Sequence, residues 1–114
     1  MVIARDMGDQ RSEGQFLGYL GLLHARQMRQ GEARACLQAG EALLRAVADR
    51  PSLAILLCAS AEAQGLAGDA TAARATQAQA QAIAVAIGAG ADSEIGLALA
   101  RVGDLVGQSS AHAA

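Results

Sequence analysis

The sequence is poor in the residues that usually anchor a core or carry chemistry. Among 114 residues there are one Phe, one Tyr, one Pro and two Cys, and Trp, Lys and Asn are absent. Burying a leucine contributes about 1.5–3 kcal/mol, and an alanine contributes much less because it removes less apolar surface from water. About a quarter of the residues are alanine and every basic residue is arginine, a composition that indicates a GC-rich bacterial genome.

Charge and cysteine content exclude several functional classes. The net charge of −2 gives no broad electrostatic attraction to DNA, RNA or an anionic membrane. Cys36 and Cys58 are too few for a disulfide framework or a zinc site, and they are typical of buried thiols in a reducing cytosol. Arg5 and Asp6 interrupt the first apolar residues, and no apolar stretch is long enough to span a bilayer. We therefore expect a soluble, cytoplasmic protein.

Apolar residues recur at helical spacing along most of the chain, and no stretch is typical of a strand. The first predicted helix runs from Arg11 to Met28, and Ser12 with Gln15 can form a capping box at its start, with Asp9 as an alternative cap. Four more predicted helices follow. The second covers about 33–47, and the third begins with Asp49 as its cap and Pro51 in its first turn. The fourth covers 70–87, with Asp69 as its cap and Gly88 at its end, and the fifth covers about 93–106. Short connections predict antiparallel neighbours. The expected fold is all-α, in one domain of residues 1–108 followed by a frayed tail of 109–114.

The chain also repeats itself at a step of about forty residues. Gly8-Asp9, Ala48-Asp49 and Ala91-Asp92 each open a helical stretch. Steps of this length are typical of solenoids, in which each unit buries its apolar face against its neighbours. Residues Val2 to Gly8 fit the last turn of a preceding unit, with Gly8 as its C-cap. We therefore expect the chain to begin in mid-repeat.

Within each unit the spacing resembles the tetratricopeptide repeat family. The signature positions of the first unit are held by Leu17, Leu20, Gly21, His24, Ala33 and Leu37, and those of the second by Leu57, Ser60, Ala61, Gln64 and Ala73. The forty-residue step is similar to the variant in large bacterial signalling and transcriptional regulators. The resemblance implies about two repeats of antiparallel helix pairs, stacked as a short solenoid of about five helices, with the last helix as a cap.

The resemblance also implies a partner-binding groove lined by the first helix of each pair. Its predicted residues are Gln15, Gly18, Leu22, Ala25, Arg26, Ile55, Cys58, Glu62 and Gly65. These residues are mostly small or apolar, which suits an amphipathic helix or an apolar peptide. The alternative is that another part of the same protein or a second copy covers them. The family's carboxylate-clamp subclass uses Lys and Asn, and both are absent from this groove.

No arrangement of residues predicts catalysis. His24 has no acidic or thiol partner at helical spacing, Cys36 lies inside a helix, and the glutamates lie on separate helices. No Cys and His spacing suits a metal, and no glycine-rich stretch has the Lys of a phosphate loop. We expect a protein that is not an enzyme and needs no cofactor.

The leading hypothesis is a non-catalytic protein-interaction module derived from a bacterial regulator. One alternative is a structural remnant of a longer array with no independent activity, and a less favoured one is a small-molecule-sensing domain. At the N-terminal end, Phe16, Leu20 and Leu23 would expose an apolar patch that favours self-association. We therefore also expect a homo-oligomer through that end.

Overall fold

The structure is a computed structural model that describes the backbone of residues 7–113 and the side chains of residues 8–106. Its five helices are α1 (Met7–Arg26), α2 (Gln30–Ala46), α3 (Arg50–Leu66), α4 (Ala70–Ile87) and α5 (Glu94–Ala113). The described residues contain no strand, so the predicted all-α fold is confirmed. No helix in the described part of the chain is long and apolar enough to cross a membrane.

The helices stack in a repeating order. Each odd-numbered helix packs against its successor, so α1 contacts α2 and α3 contacts α4. The next odd-numbered helix then packs on both members of the preceding pair: α3 contacts α1 and α2, and α5 contacts α3 and α4. Helices α1, α3 and α5 therefore form one layer, while α2 and α4 lie on the other side. This is the helical-repeat arrangement that the sequence predicted.

The turns between helices recur at a fixed step of twenty residues. Residues 28, 48, 68 and 88 all have a positive φ, between 55° and 85°. After each of them, the next amide donates to the carbonyl five residues earlier, as from Asp49 to Leu44 at 3.0 Å and from Asp69 to Gln64 at 2.9 Å. This is the Schellman motif, which satisfies carbonyls left free at a helix end. A helix pair and its turns therefore occupy forty residues.

Short-range capping explains why the later helices begin as predicted. Asp49 accepts a hydrogen bond from the Ser52 amide at 3.1 Å, and Asp69 accepts one from the Ala72 amide at 3.0 Å. At the start of α5, the Ser93 hydroxyl accepts from the Gly96 amide at 3.0 Å. Each cap pairs an amide that has no partner within its helix.

The start of α1 differs from the prediction. The helix begins at Met7, so the predicted capping box of Ser12 and the predicted C-cap at Gly8 are both wrong, since these residues lie inside α1. Residues 1–6, assigned from the sequence to the end of a preceding unit, lie outside the described residues. The predicted frayed tail of 109–114 likewise lies where side chains are not described.

The first helix pair packs glycine against leucine. A Cβ atom on Gly14 would lie 2.7 Å from Leu44 Cγ, and one on Gly21 would lie 2.6 Å from Leu37 Cγ. The two glycines therefore let α1 and α2 approach closely enough for both leucines to be buried. Forty residues later, the position of Gly14 is held by Ala54 and the position of Leu44 by Ala84, and both alanines are buried.

Candidate binding groove

A groove of about 600 Å³ runs along the layer formed by α1, α3 and α5. Its lining combines an apolar floor with polar residues towards the two ends. The lining residues are Gln15, Gly18, Tyr19, Leu22, Pro51, Ser52, Ile55, Leu56, Cys58, Ala59, Glu62, Glu94, Ala98, Arg101 and Val102.

The groove arises from the repeat, because equivalent positions of the three helices line it. Gln15, Gly18, Tyr19 and Leu22 of α1 recur forty residues later as Ile55, Cys58, Ala59 and Glu62 of α3, and all eight line the groove. In α5 the step from α3 is forty-three residues, as from Asp49 to Asp92. It places Glu94, Ala98, Arg101 and Val102 at the positions of Pro51, Ile55, Cys58 and Ala59, which also line the groove. The same helical face is therefore presented three times.

A buried carboxylate connects all three helices at one end of the groove. Glu62 on α3 has a side chain that is 8% exposed, and its Oε2 atom accepts a hydrogen bond from Arg26 Nε on α1 at 2.7 Å. Arg26 Nη2 donates to Glu62 Oε1 at 3.2 Å, and Arg101 Nε on α5 lies 3.8 Å from the same oxygen. The hydrogen bond to Glu62 raises the pKa of Arg26 above its usual value. Two guanidinium groups thus share one carboxylate, which leaves this end of the groove locally positive.

The opposite end of the groove is polar and carries a carboxylate. Gln15 Nε2 donates to Ser52 Oγ at 2.8 Å, which connects α1 with the start of α3. Glu94 at the start of α5 also lines the groove. Because helix α5 runs about 1.5 Å per residue, Glu94 and Arg101 lie roughly 10 Å apart along it. The groove is therefore polarised along its length.

Six of the nine predicted groove residues line the observed groove. They are Gln15, Gly18, Leu22, Ile55, Cys58 and Glu62. Arg26 lies beside them through its contact with Glu62. Ala25 does not line this groove; it is buried and lines a second cleft on the other side of α1. Gly65, near the end of α3, is not part of the lining either, and the role of all nine residues in binding stays a prediction.

Sequence reasoning missed the contribution of α5 and the aromatic residue in the groove. Tyr19 lies three residues before Leu22 and therefore on the same face of α1. Ala59 holds the equivalent position in α3, so the repeat could have placed Tyr19 and Ala59 in the groove. The resemblance predicts helix α5 only as a cap, with no part in the groove. Its Glu94 and Arg101 are exposed, but they are exposed within the groove.

The cysteine in the groove floor is shielded from solvent. Cys58 is buried, and burial raises the pKa of its thiol to about 11. A thiol with a raised pKa is a poor nucleophile at neutral pH, because the thiolate is the reactive form. Cys58 therefore acts as a small apolar residue here. Among the described side chains, no group of three or more His, Cys, Asp or Glu residues could hold a metal ion.

A second cleft of about 490 Å³ lies on the opposite side of the molecule, between α2 and α4. Its lining includes the polar residues Gln30, Gln38, Ser60, Gln64, Thr76 and Gln79. The Gln64 Oε1 atom is buried and has no hydrogen-bond partner among the described residues. Helices α2 and α4 do not pack against each other across the cleft.

The predicted self-association patch is exposed on α1. Phe16 is 60% exposed and Leu23 is 37% exposed, while Leu20 between them is half-buried. The three residues share one face of α1 by their i, i+4 and i+7 spacing. The structure thus places them together, and their role in self-association stays a prediction.

Comparisons with known proteins assign no family. No family model, no curated protein and no solved structure matches this chain.

Proposed function

We propose that this protein is a non-catalytic interaction module of the tetratricopeptide-like kind, and that its groove binds an amphipathic helix of a partner protein. The observation that carries the proposal is the groove, in which three helices present equivalent faces with an apolar floor. An amphipathic helix binds such a groove by burying one apolar stripe against it.

The floor favours a helix because its residues are small. Ala59 and Ala98 hold central positions on α3 and α5, while Leu56 occupies the space beside Gly18 of α1. Small side chains leave space for the side chains of a ligand helix, and Leu22 and Ile55 supply larger apolar contacts.

The charges at the two ends favour one chemistry and one orientation of the ligand. Arg26 and Arg101 share the single carboxylate of Glu62, so an acidic side chain or a helix C-terminus is favoured beside them. Glu94 at the other end favours a basic side chain or a helix N-terminus. The proposed ligand is therefore a helix with an apolar stripe and an acidic C-terminal end.

The wider context is also part of the proposal. An origin in a bacterial signalling or transcriptional regulator, and a place in the cytoplasm, rest on the arginine-only, alanine-rich composition and on the resemblance of the repeat. The proposed mode of action needs no cofactor and no catalytic residue.

A display library of helical peptides tests the groove directly. Peptides of about 18 residues, roughly 27 Å of helix, with a randomised apolar stripe, are selected on the purified protein. We expect enriched peptides to bind the wild type and to lose at least about tenfold in affinity, which is 1.4 kcal/mol, on Ile55→Glu and Leu22→Glu. Arg101→Glu should weaken those enriched peptides that end in acidic residues.

Leu97→Glu is the matched control, since Leu97 is an exposed leucine of α5 outside the groove lining. Its peptide affinity should equal that of the wild type. Circular dichroism of each variant confirms that the helices remain folded. Peptides that bind Ile55→Glu and Leu22→Glu as tightly as the wild type would place the binding surface elsewhere.

A further inference from the structure

The groove between α1, α3 and α5 is elongated along the axes of these helices. On α3 its lining extends from Pro51 to Glu62, which is about 16 Å of helix at about 1.5 Å per residue. A ligand helix that follows this direction crosses α5 at the small angle that packed helices favour. Its residues then advance along the groove by the same distance per residue as those of α5.

Helix α5 carries one charge of each sign along this groove. Glu94 and Arg101 are seven residues apart, so they lie on the same face of α5, about 10 Å apart. Both line the groove and both are exposed, while Ala98 between them is half-buried in the floor. The residues of α3 and α1 at the position of Arg101 are Cys58 and Gly18, which carry no charge. The pair of opposite charges is therefore specific to α5.

The two arginines at one end of the groove are held differently. Arg26 donates two hydrogen bonds to the Glu62 carboxylate, at 2.7 Å from Nε and 3.2 Å from Nη2. Arg101 Nε lies 3.8 Å from Glu62 Oε1, which is beyond hydrogen-bond distance, and its side chain is 59% exposed. Arg26 thus neutralises Glu62 and joins α1 to α3. The guanidinium of Arg101 is the charge that a ligand in the groove meets.

The carboxylate of Glu94 is the corresponding charge at the other end. None of the ion pairs between described side chains involves Glu94. The nearby lining residues Gln15 and Ser52 are uncharged and hydrogen-bonded to each other at 2.8 Å. A ligand therefore meets an unpaired acid at this end of the groove and a weakly paired base about 10 Å further along α5.

We propose that the ligand helix carries a basic and an acidic residue seven positions apart, at the edge of its apolar stripe. This inference rests on the proposed binding of an amphipathic helix in the groove. Because a seven-residue step covers the same distance on both helices, the basic residue pairs with Glu94 while the acidic residue pairs with Arg101. The basic residue comes first in the sequence, as the proposed orientation of the ligand requires.

Other charge patterns match α5 less well. A step of three or four residues on the ligand covers only about 5–6 Å, and one of about eleven covers about 16 Å, so one of the two ion pairs is not made. Two charges of the same sign bring one of them against a like charge. The partner's chemistry is therefore an apolar stripe flanked by opposite charges two helical turns apart.

Three synthetic peptides of about 18 residues test the proposal on the whole protein. They share the apolar stripe of a peptide selected on the groove, and their termini are capped. The first has Lys and Glu seven residues apart at the edge of the stripe, the second has the same two residues on the opposite face, and the third has Lys at both edge positions. Titration calorimetry should show that the first binds at least about fivefold more tightly than the others, because two exposed ion pairs together contribute this much. At about 1 M salt, where screening acts within about 3 Å, the difference should largely disappear.

Substitutions of Arg101 should change this preference. Arg101→Glu should bind the peptide with two Lys residues more tightly than the peptide with Lys and Glu. Arg101→Gln, which does not add a carboxylate beside Glu62, should bind these two peptides equally. Arg74→Glu is the matched control, since Arg74 is an exposed arginine of α4 outside the groove lining, and it should keep the preference of the wild type.

The possible failures are distinguishable. If the wild type bound the first and second peptides equally, and Ile55→Glu weakened both, the charge pattern would be overturned and the proposed function would stand. A preference that persists unchanged in Arg101→Gln would likewise overturn the role of Arg101. If no helical peptide bound the wild type, the proposed function would be overturned, and this inference with it.

Discussion

The two helix pairs have turns at equivalent positions, but different residues pack between the helices of each pair. In the first pair, Gly14 and Gly21 of α1 admit Leu44 and Leu37 of α2. In the second pair, the buried residues of α4 are Ala73, Thr76, Ala80 and Ala84. The first pair thus places leucines of α2 against glycines of α1. The positions forty residues later hold Ala54 with Ala84 and Ala61 with Gln77.

The turns of the first pair have a less favourable backbone conformation than those of the second. The turns of α1 and α2 place Met28 and Ala48 in the left-handed region, with φ of 63° and 55°. The turns of α3 and α4 place Gly68 and Gly88 there. A residue with a Cβ costs about 1 kcal/mol more than glycine in this conformation. The first pair therefore has the larger buried side chains on its second helix, and it has the less favourable turns.

The difference shows that the repeat conserves geometry rather than residue type. Close helix approach can be reached by glycine against leucine or by alanine against alanine, because both avoid a clash at the crossing point. Turn geometry is kept by hydrogen bonds from the backbone, with or without glycine. Sequence similarity between the two pairs is consequently weak even though their backbones match.

The largest expected effect comes from making the first pair resemble the second. Leu44 is fully buried, so Leu44→Ala should lower the free energy of unfolding by about 2–5 kcal/mol through the cavity that it leaves. The reverse change, Ala84→Leu in the second pair, should cost about 1–3 kcal/mol, because its counterpart at position 54 is alanine and not glycine. Urea unfolding followed by circular dichroism measures both. A loss below 1 kcal/mol for Leu44→Ala would contradict the packing described.

The glycines of α1 give the next effect. Gly14→Ala and Gly21→Ala should each destabilise the protein by about 1–3 kcal/mol, because the new Cβ meets a buried leucine. Gly31→Ala and Gly65→Ala are the matched controls, since a Cβ there would meet nothing within 4 Å. These controls should be neutral or should stabilise by up to about 1 kcal/mol, because alanine favours helices. If all four variants behaved alike, close packing between α1 and α2 would be ruled out.

Substitutions in the turns should change the stability of the protein by a smaller amount, with a sign that depends on whether glycine is gained or lost. Met28→Gly and Ala48→Gly should each stabilise the protein by about 1 kcal/mol, and Gly68→Ala and Gly88→Ala should each destabilise it by about the same amount. All four residues are exposed, so side-chain packing contributes little to the difference. Thermal unfolding measures the sign. Destabilisation by Ala48→Gly would show that the left-handed turn is absent there.

The smallest effect separates the two thiols. Cys36 of the first pair is half-buried, whereas Cys58 of the second is buried with a pKa raised to about 11. At pH 8 Ellman's reagent should therefore modify Cys36 first, and the rate at Cys58 should rise about tenfold per pH unit up to about pH 11. Because the folded pKa is raised, the free energy of unfolding should fall as the pH rises through this range. The variant Cys36→Ser isolates Cys58, and fast reaction of that variant at pH 8 would contradict the burial.

Much of this architecture could be predicted because its signals are local. Asp49, Asp69 and Gly88 cap or end helices through contacts with near neighbours in sequence, and these positions are confirmed. The start of α1 was missed because Ser12 has the sequence of a cap but lies within a continuing helix. Local capping preference is weaker evidence when several starts are available.

The groove was predictable in part because it follows from the repeat step. Six of its residues could be placed by position in α1 and α3, but the resemblance predicts α5 as a cap and therefore gives no groove residue there. The contact of Leu56 with Gly18 and Gly40 depends on the distance between helices from different parts of the chain. Tertiary packing of this kind is not encoded in any short segment.

A double-mutant cycle at Gly14 and Leu44 tests the central claim that the two pairs are alternative solutions of one packing geometry. In the wild-type background, Gly14→Ala should destabilise the protein, because its Cβ meets Leu44. In the Leu44→Ala background, which copies the alanines of the second pair, the same change should stabilise it by partly filling the cavity. We predict this reversal of sign, with a coupling energy of at least about 1 kcal/mol. Additive effects of the two substitutions would contradict the account.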